Sequence, residues 1–273
     1  MSTLRSKQTS SRHYNQQYFS SISSSSPDFS KKINRSQFQT KYKQIGRLLK
    51  LKTKDTIIDY GCGPGDLSFY LYLKYHCQVI GIDRSAPAIN ICRQKLEQLN
   101  LQLKQTPKIR FINHNNQNLP EFKNIKVVYF IDVLEHLYDS EIKTVLDQIP
   151  KWNHKSAPLI VIHTDNNLYL KYISWVFHLF SILTGKQKLT NLINDLQKNK
   201  QLHINLTTPK KLKQKMTNFG FKQIKLLYSP PTLNTITAQL GLKNKILAAT
   251  LKIILQKVKS LSPGFYAVYQ SIN

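Results

Sequence analysis

From residue 56 to residue 164 the chain alternates short, unbroken apolar runs with stretches of helical period, and no other feature restricts its fold as much. The runs are TIIDY (56–60), QVIGID (78–83), KIRFIN (108–113), KVVYFID (126–132) and PLIVIHT (158–164). Continuous apolarity, rather than apolarity at every second position, marks strands buried on both faces, and such strands belong to parallel sheets covered by helices. Helical spacing fills the gaps at 67–74, 86–99 and 139–149, and a further helix begins near Phe38. A helix over 208–219 closed by Gly220, and strands at 221–229 and 264–272, complete the pattern. The expected fold is therefore α/β, a doubly wound, mostly parallel, seven-stranded sheet with helical insertions.

Two insertions interrupt this order. Residues 165–200 contain LYLKYISWVFHLFSIL, whose polar residues Lys171, Ser174, His178 and Ser181 form one narrow stripe on an otherwise apolar helix. That is more apolar surface than a half-buried lid requires, yet the run is shorter than the ~20 residues of a membrane span. Residues 230–262 set Ile246, Leu247, Leu251, Ile254 and Val258 against Lys243, Lys245, Lys252 and Lys259. This pattern suits a basic helix lying in a membrane interface, and equally a solvated helix packed on the sheet. Residues 1–37 read as a basic, Ser-rich tail expected to be disordered, with 38–273 as the folded domain. The tail lacks the apolar core of a secretory signal, while organelle targeting stays open.

Forty Lys and Arg against 14 Asp and Glu give a net charge of +26, and nothing after Asp195 is acidic. Such a surface favours anionic partners, either a phospholipid surface or nucleic acid, and charge alone does not choose between them. Three cysteines with no zinc-ligand spacing argue for a reducing compartment, so the chain is expected to be cytoplasmic and peripheral to a membrane.

The first strand ends in DYGCGPGD, with Gly61, Gly63 and Gly65 at alternate positions. Glycines there let a ligand approach the backbone beside the amino end of the next helix. A dinucleotide fingerprint would need a glycine where Asp66 stands, which counts against a pyrophosphate-bearing cofactor. Asp59 would repel a phosphate but attract an ammonium. Asp83, at the end of the second strand, can accept hydrogen bonds from both hydroxyls of a ribose. A ligand with an amino-acid end and a nucleoside end fits both acids.

With these residues, DYGCGPG, GIDRSAPAI, NHNNQNLP, VLEHL and HINLTTPKKLKQKMTNFGF together resemble the class I S-adenosylmethionine-dependent methyltransferases, in particular the subgroup of the ubiquinone-biosynthesis O-methyltransferases. The resemblance covers roughly residues 55–225. It implies that Asp59, Gly61, Gly63 and Gly65 surround the methionine part of the cofactor, and that Asp83 takes the ribose. It places Asn115 where the family commonly has an acid contacting adenine, a contact an amide carbonyl can also make. Ile131 and Asp132 would border the sulfonium and the acceptor. The ubiquinone-type enzymes hold a divalent metal through an acid-x-x-acid-His pattern, matched here by Asp132, Glu135 and His136, although bracing of the following helix is the favoured reading of His136. His136, His163 and His203 are candidate general bases for a hydroxyl acceptor. The implied reaction is methyl transfer to a small hydrophobic or lipid-linked acceptor at an anionic membrane surface. An RNA methyltransferase, or a non-catalytic cofactor-binding or assembly protein on the same fold, are the alternatives.

Overall fold

The computed structural model describes residues 26–103, 106–114, 119–153, 157–173, 203–229, 236, 249–250, 252–253 and 257–272. Its elements in chain order are α1 (Thr40–Leu48), β1 (Thr56–Tyr60), α2 (Asp66–Tyr75), β2 (Gln78–Asp83), α3 (Ala86–Leu103), β3 (Ile109–Asn113), β4 (Ile125–Ile131), α4 (Asp139–Leu146), β5 (Leu159–Asp165), α5 (Pro209–Asn218), β6 (Phe221–Ser229) and β7 (Gly264–Ser271). Seven strands lie in the order β3-β2-β1-β4-β5-β7-β6. β1 pairs in parallel with both β2 and β4, β2 pairs in parallel with β3, and β6 runs antiparallel to β7. The order reverses between β1 and β4, the place where open α/β sheets bind ligands beyond the carboxyl ends of their strands. Register places Asp59 opposite Gly81 of β2 and Tyr129 of β4.

The chain divides into two compact units. The first comprises the described residues of Met1–Ile131 and Lys143–Val161. Its core holds Ile57 and Ile58 of β1, Val127 and Val128 of β4, and Phe69 and Leu71 of α2. α2 is buried at seven consecutive positions from Asp66 to Tyr72, which explains why its sequence is apolar nearly all round. Residues 26–37, expected to be part of a disordered tail, are instead held on this unit. Phe29 and Ile33 are buried, and Phe29 packs on Phe69 with ring centroids 4.7 Å apart.

The second unit comprises the described residues of Asp132–Ile142 and Ile162–Ile272. α5 begins with Pro209 after Thr208, whose side chain accepts from the Lys211 N–H, and it is followed by Gly220 at φ 86°. This is the Ser/Thr cap, first-turn proline and terminal glycine that its sequence announces. Leu212 and Met216 form its buried face. β7 is buried from Gly264 to Tyr269, whereas β6, at the end of the strand order, leaves Ile224 and Leu227 exposed. The register slips between Gln223 and Lys225, so Ile224 is the extra residue of a bulge. Of the two insertions only margins are described: a single wide helical turn at Tyr169–Ile173, a few scattered positions, and a short turn at Lys259–Leu261. The apolar run beyond residue 173 and most of the basic segment lie outside the described residues. No helix among the described residues is long and apolar enough to cross a membrane.

Candidate cofactor turn and acid-histidine cluster

In the first unit the chain leaves β1 and folds back over the end of β2. The Gly61 and Cys62 N–H groups donate to the Ile82 carbonyl at 2.7 and 3.0 Å. Gly61, Gly63 and Gly65 have φ of 70°, 50° and 82°, a conformation that side chains resist, so the sequence needs glycine here for backbone reasons alone. At Gly65 a Cβ would also stand 3.0 Å from both the Cys92 sulfur and the Phe69 ring. Asp83 fastens the turn: Oδ2 accepts from the Gly63 N–H and Oδ1 from the Ser85 N–H, both at 2.8 Å. The sequence reading has this carboxylate accept from both hydroxyls of a ribose. The fold already sets backbone donors on both oxygens, which fixes the orientation of the carboxylate at the end of β2.

Asp59 lies in β1, 2% exposed, accepting from the Ser68 hydroxyl at 2.7 Å. Burial pushes its carboxyl up to about 7, against the opposing pull of Ser68, and the Asp83 charge adds to the rise. Asp83 is raised as well, by burial, against the backbone donors that hold it. A buried and a half-buried acid, both with elevated affinity for protons, suit a ligand that brings an ammonium and hydroxyl donors, and so the residues present fit S-adenosylmethionine. Asn115 lies outside the described residues. Ile131 is half-buried at the end of β4.

Sequence reasoning missed a buried ion pair beneath this turn. Lys95 of α3 meets Asp66 at 2.8 Å and also donates to the Pro64 carbonyl at 2.9 Å. Only the polarity of Lys95 on the buried face of α3 hinted at it.

In the second unit Asp132 follows β4 with φ 56°, in the left-handed region. Its N–H donates to the His163 carbonyl at 3.0 Å, and its carboxylate is hydrogen-bonded to His163 Nδ1. His163 is 9% exposed in its side chain and Asp132 33%, so the carboxylate is the outward member of the pair. Behind it the imidazole packs on Tyr266 of β7, with centroids 4.5 Å apart. A Cβ at Gly264 would come within 3.0 Å of its Nε2, so glycine there makes room for the ring. His136 and His203 stack on each other at 4.7 Å. Tyr266 and Gly264 were not singled out from the sequence, because nothing local connects β7 to a histidine on β5.

Asp132, Glu135 and His136, through which the resemblance would hold a metal, each engage other groups. Glu135 is buried, accepts from the Thr164 hydroxyl at 2.9 Å, and is held well above the usual carboxylate range by burial and by the Asp132 charge. Its neutral form is thus favoured over the charged one, while Asp132 engages His163 and His136 engages His203. Among the described residues no three His, Cys, Asp or Glu side chains converge as metal ligands.

The strand order, the glycine turn at the carboxyl end of β1 and the acid ending β2 define a class I S-adenosylmethionine-dependent methyltransferase fold. The chain belongs to the family described as "Methyltransferase domain", which it matches over residues 51–224. Among curated proteins it is 24% identical over 121 residues to (S)-tetrahydroprotoberberine N-methyltransferase of Eschscholzia californica, a match covering 44% of this chain and 33% of that protein. The chain thus spans about a third of the length of the curated relatives it matches. Among solved structures, magnesium protoporphyrin IX methyltransferase from Synechocystis PCC 6803 with bound SAH superposes with a TM-score of 0.59 at 14% identity, over 95% of this chain and 97% of that one. Geranyl diphosphate methyltransferase in complex with GPP and sinefungin gives 0.55 at 13% identity, over 85% and 78%. These two likenesses concern the fold.

Proposed function

We propose that the protein transfers the methyl group of S-adenosylmethionine to a small hydrophobic or lipid-linked acceptor. The observation that carries this reading is the glycine turn fastened by Asp83 at the reversal of strand order, with the buried Asp59 beneath it. Asp59 and the turn hold the amino-acid end of the cofactor, and Asp83 holds the ribose. When bound, the cofactor supplies a methyl group already activated by its sulfonium, so the protein's contribution is mainly to position the acceptor in line. Within its own unit the Asp132–His163 pair, with Asp132 the more exposed member, is the candidate acid–base group for an acceptor that must release a proton.

A hydrophobic acceptor agrees with the relatives named above, which are described as acting on, or found bound to, small organic molecules. Charge and exposed apolar residues favour work at an anionic membrane surface. The test is transfer of tritium from methyl-labelled cofactor into a lipid extract, an RNA pool and a protein pool. Label in the lipid or small-molecule fraction is expected. Label in RNA alone would move the assignment to a nucleic-acid methyltransferase, and cofactor binding without transfer to any pool would make the chain a non-catalytic binding protein.

A further inference from the structure

Lys95 is a buried lysine within α3, and its ammonium spends its donors on the cofactor turn. Nζ donates to the Pro64 carbonyl inside the turn and to Oδ1 of Asp66, the first residue of α2, at 2.9 and 2.8 Å. It also lies 5.5 Å from the centre of the Phe29 ring. The other oxygen of Asp66 accepts from the Ser26 hydroxyl at 2.6 Å. Both contacts from the amino-terminal side come from one segment, residues 26–38. Gln102 of α3 fastens this strap, accepting from the Ile33 N–H at 2.9 Å and donating to the Phe29 and Lys31 carbonyls at 2.7 and 2.9 Å. Phe29 packs on Phe69, and Phe69 on Phe111. Those two rings lie 3.0 and 3.2 Å from where a Gly65 Cβ would be.

A buried ion pair is a costly way to fill space, since apolar side chains of the same volume would serve packing as well or better. What it adds is direction: one carbonyl and one carboxylate are held at fixed positions on either side of Gly65. A turn with three glycines at positive φ has much conformational freedom to lose, and a ligand binding a loose turn must bear that cost itself. We infer that Lys95, Asp66 and the strap form a latch that holds the glycine turn in its binding conformation, so that docking of the strap and binding of the cofactor are coupled. Lys95 and Ser26 are then positioning residues. The coupling is reciprocal: cofactor tightens the strap as the strap tightens the cofactor. This rests on the cofactor reading proposed above.

S-adenosylhomocysteine is the probe, with calorimetry for affinity and amide hydrogen exchange for the strap. In the parent, saturating S-adenosylhomocysteine slows exchange across residues 26–38. Lys95→Met weakens binding at least about tenfold and Ser26→Ala about threefold, as expected for loss of charged and charge-assisted hydrogen bonds. A latch that served only the fold would lower the melting temperature of these variants and leave the affinity of the folded protein unchanged. Affinity within twofold of the parent in folded Lys95→Met, or strap exchange in the parent indifferent to ligand, overturns the latch. The second measurement needs no variant. A parent that binds no S-adenosylhomocysteine at all overturns the cofactor reading, and the latch falls with it.

Discussion

The residue that carries most chemical information is Asp59, because burial leaves its carboxyl near a pKa of about 7. A carboxyl raised in the folded state binds more protons than its unfolded counterpart between the two pKa values. Its contribution to stability is therefore fully present below about pH 4 and is lost as pH rises through about 7, at up to about 1.4 kcal/mol per pH unit. Asp59→Asn should flatten that part of the stability profile, measured by urea unfolding at several pH values. Ligand binding should show the opposite trend. An ammonium favours the ionised carboxylate, so affinity for S-adenosylhomocysteine should rise from about pH 6 to about pH 8 in the parent and stay level in Asp59→Asn. A parent whose affinity ignores pH would remove Asp59 from the ammonium end. Asp83 carries a parallel prediction: Asp83→Ala frees the Gly63 N–H as well as the ribose and should cost at least about 2 kcal/mol of binding by calorimetry. Both acids were legible in the sequence, because strand ends and glycines fix their places. The Asp132–His163 pair was not, since it joins the ends of two strands far apart in sequence, and the likeness of DVLEH to the ubiquinone-type enzymes offered Asp132 to a metal as one reading.

At the scale of elements, continuous apolar runs located β1, β2, β4 and β5 to within a residue or so, because burial on both faces leaves a pattern that side-chain period cannot blur. The helices were found with softer ends: α3 runs on to Leu103, and α4 stops at Leu146 before a short turn containing Pro150. The bulge at Ile224 and the strap over α2 were illegible, the first because it depends on register with β7 and the second because serine-rich composition masked two anchoring apolar residues. Packing between elements makes its own prediction at Gly81. That residue lies in β2, where a Cβ would come within 2.5 Å of the Phe111 ring and 3.1 Å of the Cys62 sulfur. Gly81→Ala should therefore destabilise by about 1–3 kcal/mol in urea unfolding, the usual cost of overpacking. Adding Phe111→Leu should recover part of the loss. Recovery would show that the cost is the clash with the ring rather than a change in the strand backbone.

For the whole molecule the governing quantity is charge, +26 over 273 residues, with no acid after Asp195. In that acid-free stretch, exposed Lys210, Lys211 and Lys213 lie on α5, and exposed Lys222 and Lys225 flank the exposed Ile224 on β6, with Leu227 exposed two residues further on. Lysines near anionic headgroups add about 1 kcal/mol each, and exposed aliphatic side chains add burial in the interface, so several together suffice for attachment without a spanning helix. Nucleic acid would also be bound through these lysines and with similar sensitivity to salt, so salt dependence cannot separate the two partners. Apolar contact can, because a phosphate backbone gains nothing from Ile224 and Leu227. After nuclease treatment the protein should float with anionic vesicles and poorly with neutral ones. Ile224→Ser with Leu227→Ser should reduce flotation several-fold, as expected for losing two buried aliphatic groups, while affinity for S-adenosylhomocysteine is kept. If the double variant floats like the parent but both release their vesicles to added RNA, the basic surface serves nucleic acid, and the membrane-surface acceptor should be abandoned in favour of an RNA one.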